Sequence, residues 1–321
     1  MSFDRPAQKN RPWGRYLLLV GLVLVTVLGW HFGWGNLAKL IGNASPVKLG
    51  LMSALILAGF WIRAWKWHYA LGKGQQGIRL FFIAKTAGNF TPGRAGELAP
   101  LLLRQHRNAR VAAWIGLDRL VEVAWTLGLG FFGGAAIGFV PWWLAALLAL
   151  AGLIAATIIW YALNRGWLRY RELGESRTPQ SWRSRIGTFI NTVRDELLLF
   201  GAKLPIVMIS TALAKITDIY AVILLCQAFG YDASFVLVCA ARCAHALVSA
   251  VPVTPDATGV PFIAAAGFLN NYAGIPNDIL FAALGLEVIV INGILWACFC
   301  GVSALRWDNN GLEAVKKEVE P

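Results

Sequence analysis

Charge is what this chain has least of. Only 14% of its 321 residues are Asp, Glu, Lys or Arg, where a soluble domain carries about a quarter. With 57% hydrophobic residues and a mean hydropathy of +0.58, a soluble globular class is excluded and a polytopic membrane protein is expected. Acidic residues are scarcer than basic ones, 17 against 29. In a soluble protein the resulting +12 would point to nucleic acid. Here the basic residues flank apolar segments, which points to topology and anionic lipid contact instead, with no nucleic-acid partner. Cysteine is no more informative. Cys226, Cys239, Cys243, Cys298 and Cys300 all sit in apolar runs with no CxxC or zinc spacing, so they read as small buried hydrophobes, without metal or cofactor. The basic N-terminus leads to Trp30-His31-Phe32 rather than a small-residue cleavage site, so the first span is expected to be retained.

Apolar windows of about 20 residues mark spans at roughly 16–33, 47–68, 111–140, 142–163, 204–228 and 277–304. The second closes with Trp61, Arg63, Trp65, Lys66 and Trp67, which reads as an aromatic and basic interfacial edge. Two further segments, 78–104 and 234–273, are apolar but broken by Gly and Pro, and read as re-entrant hairpins. The fold class expected is therefore all-α, with about six transmembrane helices plus two re-entrant hairpins. The expected organisation begins with a basic arm at 1–15 and a first membrane half at 16–163. A basic amphipathic segment at 164–202 follows, with Trp182, Ile186, Phe189, Ile190, Val193 and Leu197 at helical spacing, as on a membrane surface. A second membrane half at 203–305 and a tail at 306–321 complete the chain. Loops 33–46, 141–142 and 229–234 hold only Lys39 as a basic residue, so both termini are expected in the cytoplasm.

Thr91-Pro92 followed by Gly96 in the first hairpin recurs as Thr254-Pro255 followed by Gly259 in the second. In this topology the two hairpins enter from opposite sides, each between two spans, forming an inverted repeat of the kind transporters use. Arg94 lies in a Pro-Gly-Arg-Ala-Gly turn, where Gly93 and Gly96 allow close ligand approach. The functional reading is an anionic head group held by Arg94, with Lys85, Glu97, Arg104 and Arg119 nearby; the structural reading is an Arg94–Glu97 pair. Asp118 and Glu122 share a helix face, and Arg119 can pair with either or with the hairpin. Lys215 with Asp218 and Arg242 with His245 are i,i+3 neighbours, Glu287 is alone in its span, and Asp256 lies at the second tip. This set reads either as gating and proton-coupling groups or as mutual neutralisation. If the tips meet, Arg94 is expected within reach of Asp256, closing the path until an anion competes.

The runs Asn89-Phe-Thr-Pro-Gly-Arg-Ala-Gly-Glu97 with Arg104, Asp118-Arg119-Leu-Val-Glu122 and Val251-Pro-Val-Thr-Pro-Asp-Ala-Thr-Gly259 resemble the lysylphosphatidylglycerol synthase transmembrane, or flippase-like, family over roughly 16–305. Asp256-Ala257-Thr258 departs from the glycine-rich turn usual there. The resemblance implies a bacterial inner-membrane transporter rather than an enzyme. Its substrate would be a phospholipid, an aminoacylated one or a polyprenyl phosphate, and a homo-oligomer or a lipid biosynthetic enzyme a possible partner. Synthase activity in two-domain members belongs to a separate soluble domain, for which this chain, ending at Pro321, is expected to lack room. The alternatives are an integral membrane enzyme, such as a lipid-linked glycosyltransferase, and a non-transporting partner of a biosynthetic complex. The first would need a sizeable acidic outer loop, whereas the outer loops are short and nearly uncharged apart from Asp232.

Overall fold

A computed structural model describes residues 34–71, 76–89, 91, 94–102, 109–165, 182–250 and 260–304. The first expected span, Gly93, Arg104, Asp256 and both terminal segments lie outside the described residues.

Among the described residues all regular structure is helical. The helices are α1 (Trp34–Asn43), α2 (Pro46–Leu71), α3 (Gln76–Asn89), α4 (Ala99–Leu102), α5 (Ala109–Ala136), α6 (Trp142–Arg165), α7 (Trp182–Phe200), α8 (Leu204–Ala228), α9 (Phe235–Ala250), α10 (Val260–Ala273) and α11 (Asn277–Ala304). Three stretches, Pro46–Leu71, Phe189–Ala228 and Asn277–Val302, are long and apolar enough to cross a membrane. Leu51, Leu57, Leu120, Val123, Ile209, Leu213 and Ile289 point outward, while Arg63, Lys66, Glu122 and Glu287 are buried. Apolar outside with charge inside is the distribution a lipid solvent selects, because polar groups must then find partners within the protein.

Helices α2 and α8 form the central pair and run antiparallel. At one end the Ser45 amide donates to the Ala228 carbonyl (2.9 Å) and Lys48 Nζ to the Gln227 carbonyl (3.1 Å). At the other, Lys203 Nζ donates to the carbonyls of Tyr69 (3.2 Å) and Ala70 (3.0 Å), meeting the negative end of α2 with a cation. Arg110 also reaches the Ala70 carbonyl, so residues 69–70, 110 and 203 share one end of the bundle. A linked set of aromatic contacts, Phe81–Trp67–Trp114–Phe200, with ring centroids 5.4–6.3 Å apart, fills the core near that end.

Around this pair the packing is reciprocal. Helix α5 lies against α9, and α11 lies against α3. Gly130 and Gly133 allow the α5–α9 approach: a Cβ at Gly130 would run into Cys243, and one at Gly133 into the Val236 carbonyl and Cys239. Helix α3 has 14 residues, which extend about 21 Å and fall short of a hydrocarbon core of about 30 Å. Its last residue, Asn89, donates from Nδ2 to Oδ1 of Asn292 (3.4 Å), near the middle of α11.

Two expectations are revised. Arg63, Lys66 and Trp67 are not an interfacial edge: all three are buried, and only Trp61 and Trp65 face outward. Helical periodicity sorts the five residues onto two faces, which composition alone could not do. The segment expected to lie apart on the membrane surface contributes α7, which passes into α8 through a single 3-10 turn, Gly201–Lys203. Val193 and Leu197 of α7 pack against the core, and Pro205 is tolerated because it sits in the first turn of α8.

Candidate functional site

The first hairpin turn is built from its own side chains. The Thr91 hydroxyl donates to the Ala87 carbonyl (3.1 Å) and accepts from the Gly96 amide (2.6 Å), tying the end of α3 to the 3-10 turn Ala95–Leu98. Gly96 is required there, because a Cβ would collide with the Ala87 carbonyl. Arg94 takes φ +59°, ψ +25°, a left-handed conformation rare for a residue with a Cβ. The turn aims Glu97 inward, where it is buried.

Glu97 then meets three cations: Arg94 (3.3 Å), Lys85 (3.4 Å) and, in a close pair, Arg119. Glu122, at the middle of α5, is held by Arg119 (2.8 Å), Lys85 (3.4 Å) and Arg63 (3.5 Å). The helix spacing that set Asp118 and Glu122 on one face holds, but their partners differ. Asp118 pairs with Lys66 and accepts from Trp67 Nε1 (2.8 Å), while Lys66 also donates to the Thr211 hydroxyl (2.8 Å).

Two expected pairings are replaced by longer-range ones. Asp218 is taken by Arg63 of α2 rather than by Lys215, and Arg242 is paired with Glu287 of α11 rather than sharing a role with His245. His245 sits edge-on to the Phe262 ring at 4.5 Å. Within one helix i,i+3 neighbours share a surface, but a carboxylate on a facing helix can meet arginine head-on, and Asp218 does so with both oxygens.

Between the hairpin arms and the central pair lies a cavity of about 180 Å³. Its lining brings together Lys85, Arg94, Glu122, Lys215, Asp218, Arg242, His245 and Glu287 from the sequence-based set. It adds Arg63, Asn89, Thr126 and Asn292, which the sequence reading did not single out. For Arg63 the signal was present, a charge within an apolar run at helical spacing from Lys66 and Trp67; Asn89 opens the quoted motif without a role assigned to it, and for Asn292 there was no signal. Glu97 and Arg119 support the lining from behind through Lys85 and Glu122, and Asp118 belongs to the separate Lys66 cluster. Five lysines and arginines line the space against three carboxylates. Among the described residues no group of His, Cys, Asp and Glu forms a metal site.

The family model described as "Lysylphosphatidylglycerol synthase TM region" matches residues 16–307, which take in every helix of this arrangement. The chain belongs to that family. Membership fits a membrane-embedded domain with a lipid-related role, and the outward apolar faces suit a membrane setting. No match is found among curated proteins or among solved structures.

Proposed function

We propose that this family member is a flippase-like transporter of the bacterial inner membrane that moves an anionic, phosphate-bearing lipid between leaflets. The observation that carries the reading is the cavity, ringed by five cationic side chains against three carboxylates within a bundle whose outside is apolar. Such a charge excess in low dielectric is unfavourable unless an anion completes it. The packing supports an inverted repeat made of α2, the first hairpin and α5, with α8, the second hairpin and α11. The pairs α5–α9 and α3–α11 exchange under a two-fold axis, and α2–α8 maps onto itself. Each first arm also supplies a cation to a glutamate on the following long helix, Lys85 to Glu122 and Arg242 to Glu287. A 14-residue α3 ending against the middle of α11 supports a re-entrant first hairpin.

The test is reconstitution into liposomes carrying a trace of fluorescently labelled phosphatidylglycerol. Dithionite added outside is expected to bleach the inner-leaflet share only in vesicles that hold the protein. Bleaching that stops at the outer leaflet, for labelled phosphatidylglycerol and phosphatidic acid alike, would end the transport reading.

A further inference from the structure

The cations lining the cavity are not equivalent. Arg63 is committed to Asp218 and Glu122, Lys85 to Glu97 and Glu122, Arg94 to Glu97, and Arg242 to Glu287. Lys215, half-buried on α8, has no carboxylate within 4 Å among the described residues and makes no hydrogen bond there. The carboxylates are in the opposite condition. Glu122 is shared among Lys85, Arg119 and Arg63, Asp218 is taken by Arg63, and the charge of Glu287 is met by Arg242. The second oxygen of Glu287 takes no hydrogen bond, which leaves an acceptor for a neutral donor.

We infer that Lys215 is the group that binds the ligand's phosphate, and that the ligand is a phosphate ester whose head group carries no ammonium. This rests on the cavity being the ligand site. Among the described residues Glu122 and Asp218 attract Lys215 only from beyond ion-pair distance, and an incoming oxyanion supplies the direct contact it lacks there without breaking any existing pair. An ammonium-bearing head group would need a carboxylate in return. The lining already sets five cations against three carboxylates, so an ammonium would add to a positive excess and sit beside Lys215 with no carboxylate of its own. The cavity therefore selects by what it leaves open: a place for one anion, neutral donors and acceptors from Asn89, Asn292 and Thr126, and none for a second cation. Phosphatidylglycerol and phosphatidic acid fit this chemistry; phosphatidylethanolamine, phosphatidylcholine and aminoacylated lipids do not.

The experiment measures binding of short-chain dihexanoyl lipids to the full chain in detergent by calorimetry, with inorganic phosphate as a separate arm. Phosphatidylglycerol and phosphatidic acid are expected to bind about tenfold more tightly than phosphatidylethanolamine and phosphatidylcholine, the scale of one charge-assisted hydrogen bond. Lys215→Gln is expected to remove that preference, Lys215→Arg to keep most of it, and Lys39→Gln, on an exposed position of α1, to change nothing. Equal affinity for phosphatidylethanolamine and phosphatidylglycerol overturns the inference, and this comparison needs only the unaltered chain. Labelled phosphatidylglycerol crossing the bilayer at an unchanged rate in Lys215→Gln overturns it too, while leaving transport standing. Inorganic phosphate binding as tightly as the lipids, with the same dependence on Lys215, supports the anion site and removes the lipid-transport reading instead.

Discussion

At the scale of single residues, Glu122 and Glu97 are hubs and their cations are spokes. Removing a hub takes one carboxylate from several cations at once, whereas removing one spoke leaves the carboxylate still held. Glu122→Gln is therefore expected to cost on the order of 3–5 kcal/mol, the scale of a broken buried pair. Lys85→Gln is expected to cost clearly less; thermal unfolding of the purified variants checks the ranking. Arg94 tests a different distinction. If it contributes to the anion field, Arg94→Ala slows transport and Glu97→Ala added to it does not restore the rate; a recovered rate would assign Arg94 to structure alone. Gly96→Ala is expected to disrupt the turn, since its Cβ would meet the Ala87 carbonyl, and to lower the melting temperature more than Ala95→Gly does. That these positions make contacts inside the bundle was legible in the sequence, because charge and glycine in an apolar run are conspicuous. Their partners were not. Spacing reports neighbours on one helix, and Arg63–Asp218 and Arg242–Glu287 join helices distant in the chain.

At the scale of elements, the helical class was readable from the apolar windows, and the expected re-entrant arms take a measurable form in the packing of α3 against α11. Cysteines replacing Asn89 and Asn292, in a background lacking the native five, are expected to crosslink under mild oxidation, since the two side chains meet at 3.4 Å. Failure of that pair, with crosslinking between positions 45 and 228 as the positive control, would separate the hairpin tip from α11. The passage from α7 to α8 was harder to see. Gly201 and Pro205 suggest a break, yet a 3-10 turn accommodates the first and the opening turn of α8 the second. The expected contact between the two hairpin tips, Arg94 with Asp256, involves a residue, Asp256, outside those described.

At the scale of the whole molecule, the proposed orientation places in the cytoplasm the end that gathers the basic residues. Tyr69, Ala70, Arg110 and Lys203 share one end, and Ser45 and Ala228 the other. With the basic end in the cytoplasm, single cysteines replacing Arg107 and Glu175 are expected to be shielded from an impermeant thiol reagent in intact spheroplasts. Cysteines replacing Gly42 and Tyr231 are expected to react. Labelling at 175 without labelling at 42 would invert the molecule.

The central α2–α8 pair also sets a schedule. Asp218 follows Arg63 by 155 residues. At about 5–20 residues per second, the ribosome needs roughly ten seconds or more to deliver that partner. Until then Arg63 has, among the described residues, only Glu122 of α5 to meet it, as Lys66 has Asp118. The first half of the chain is thus born unfinished: α2 meets Glu122 of α5 first, but its bidentate partner Asp218 only once α8 has emerged. A nascent chain arrested before residue 204 is expected to remain accessible to extraction at alkaline pH, and one arrested after α8 has cleared the exit tunnel is not. The seam that closes the finished bundle is also the step that commits the chain to the bilayer.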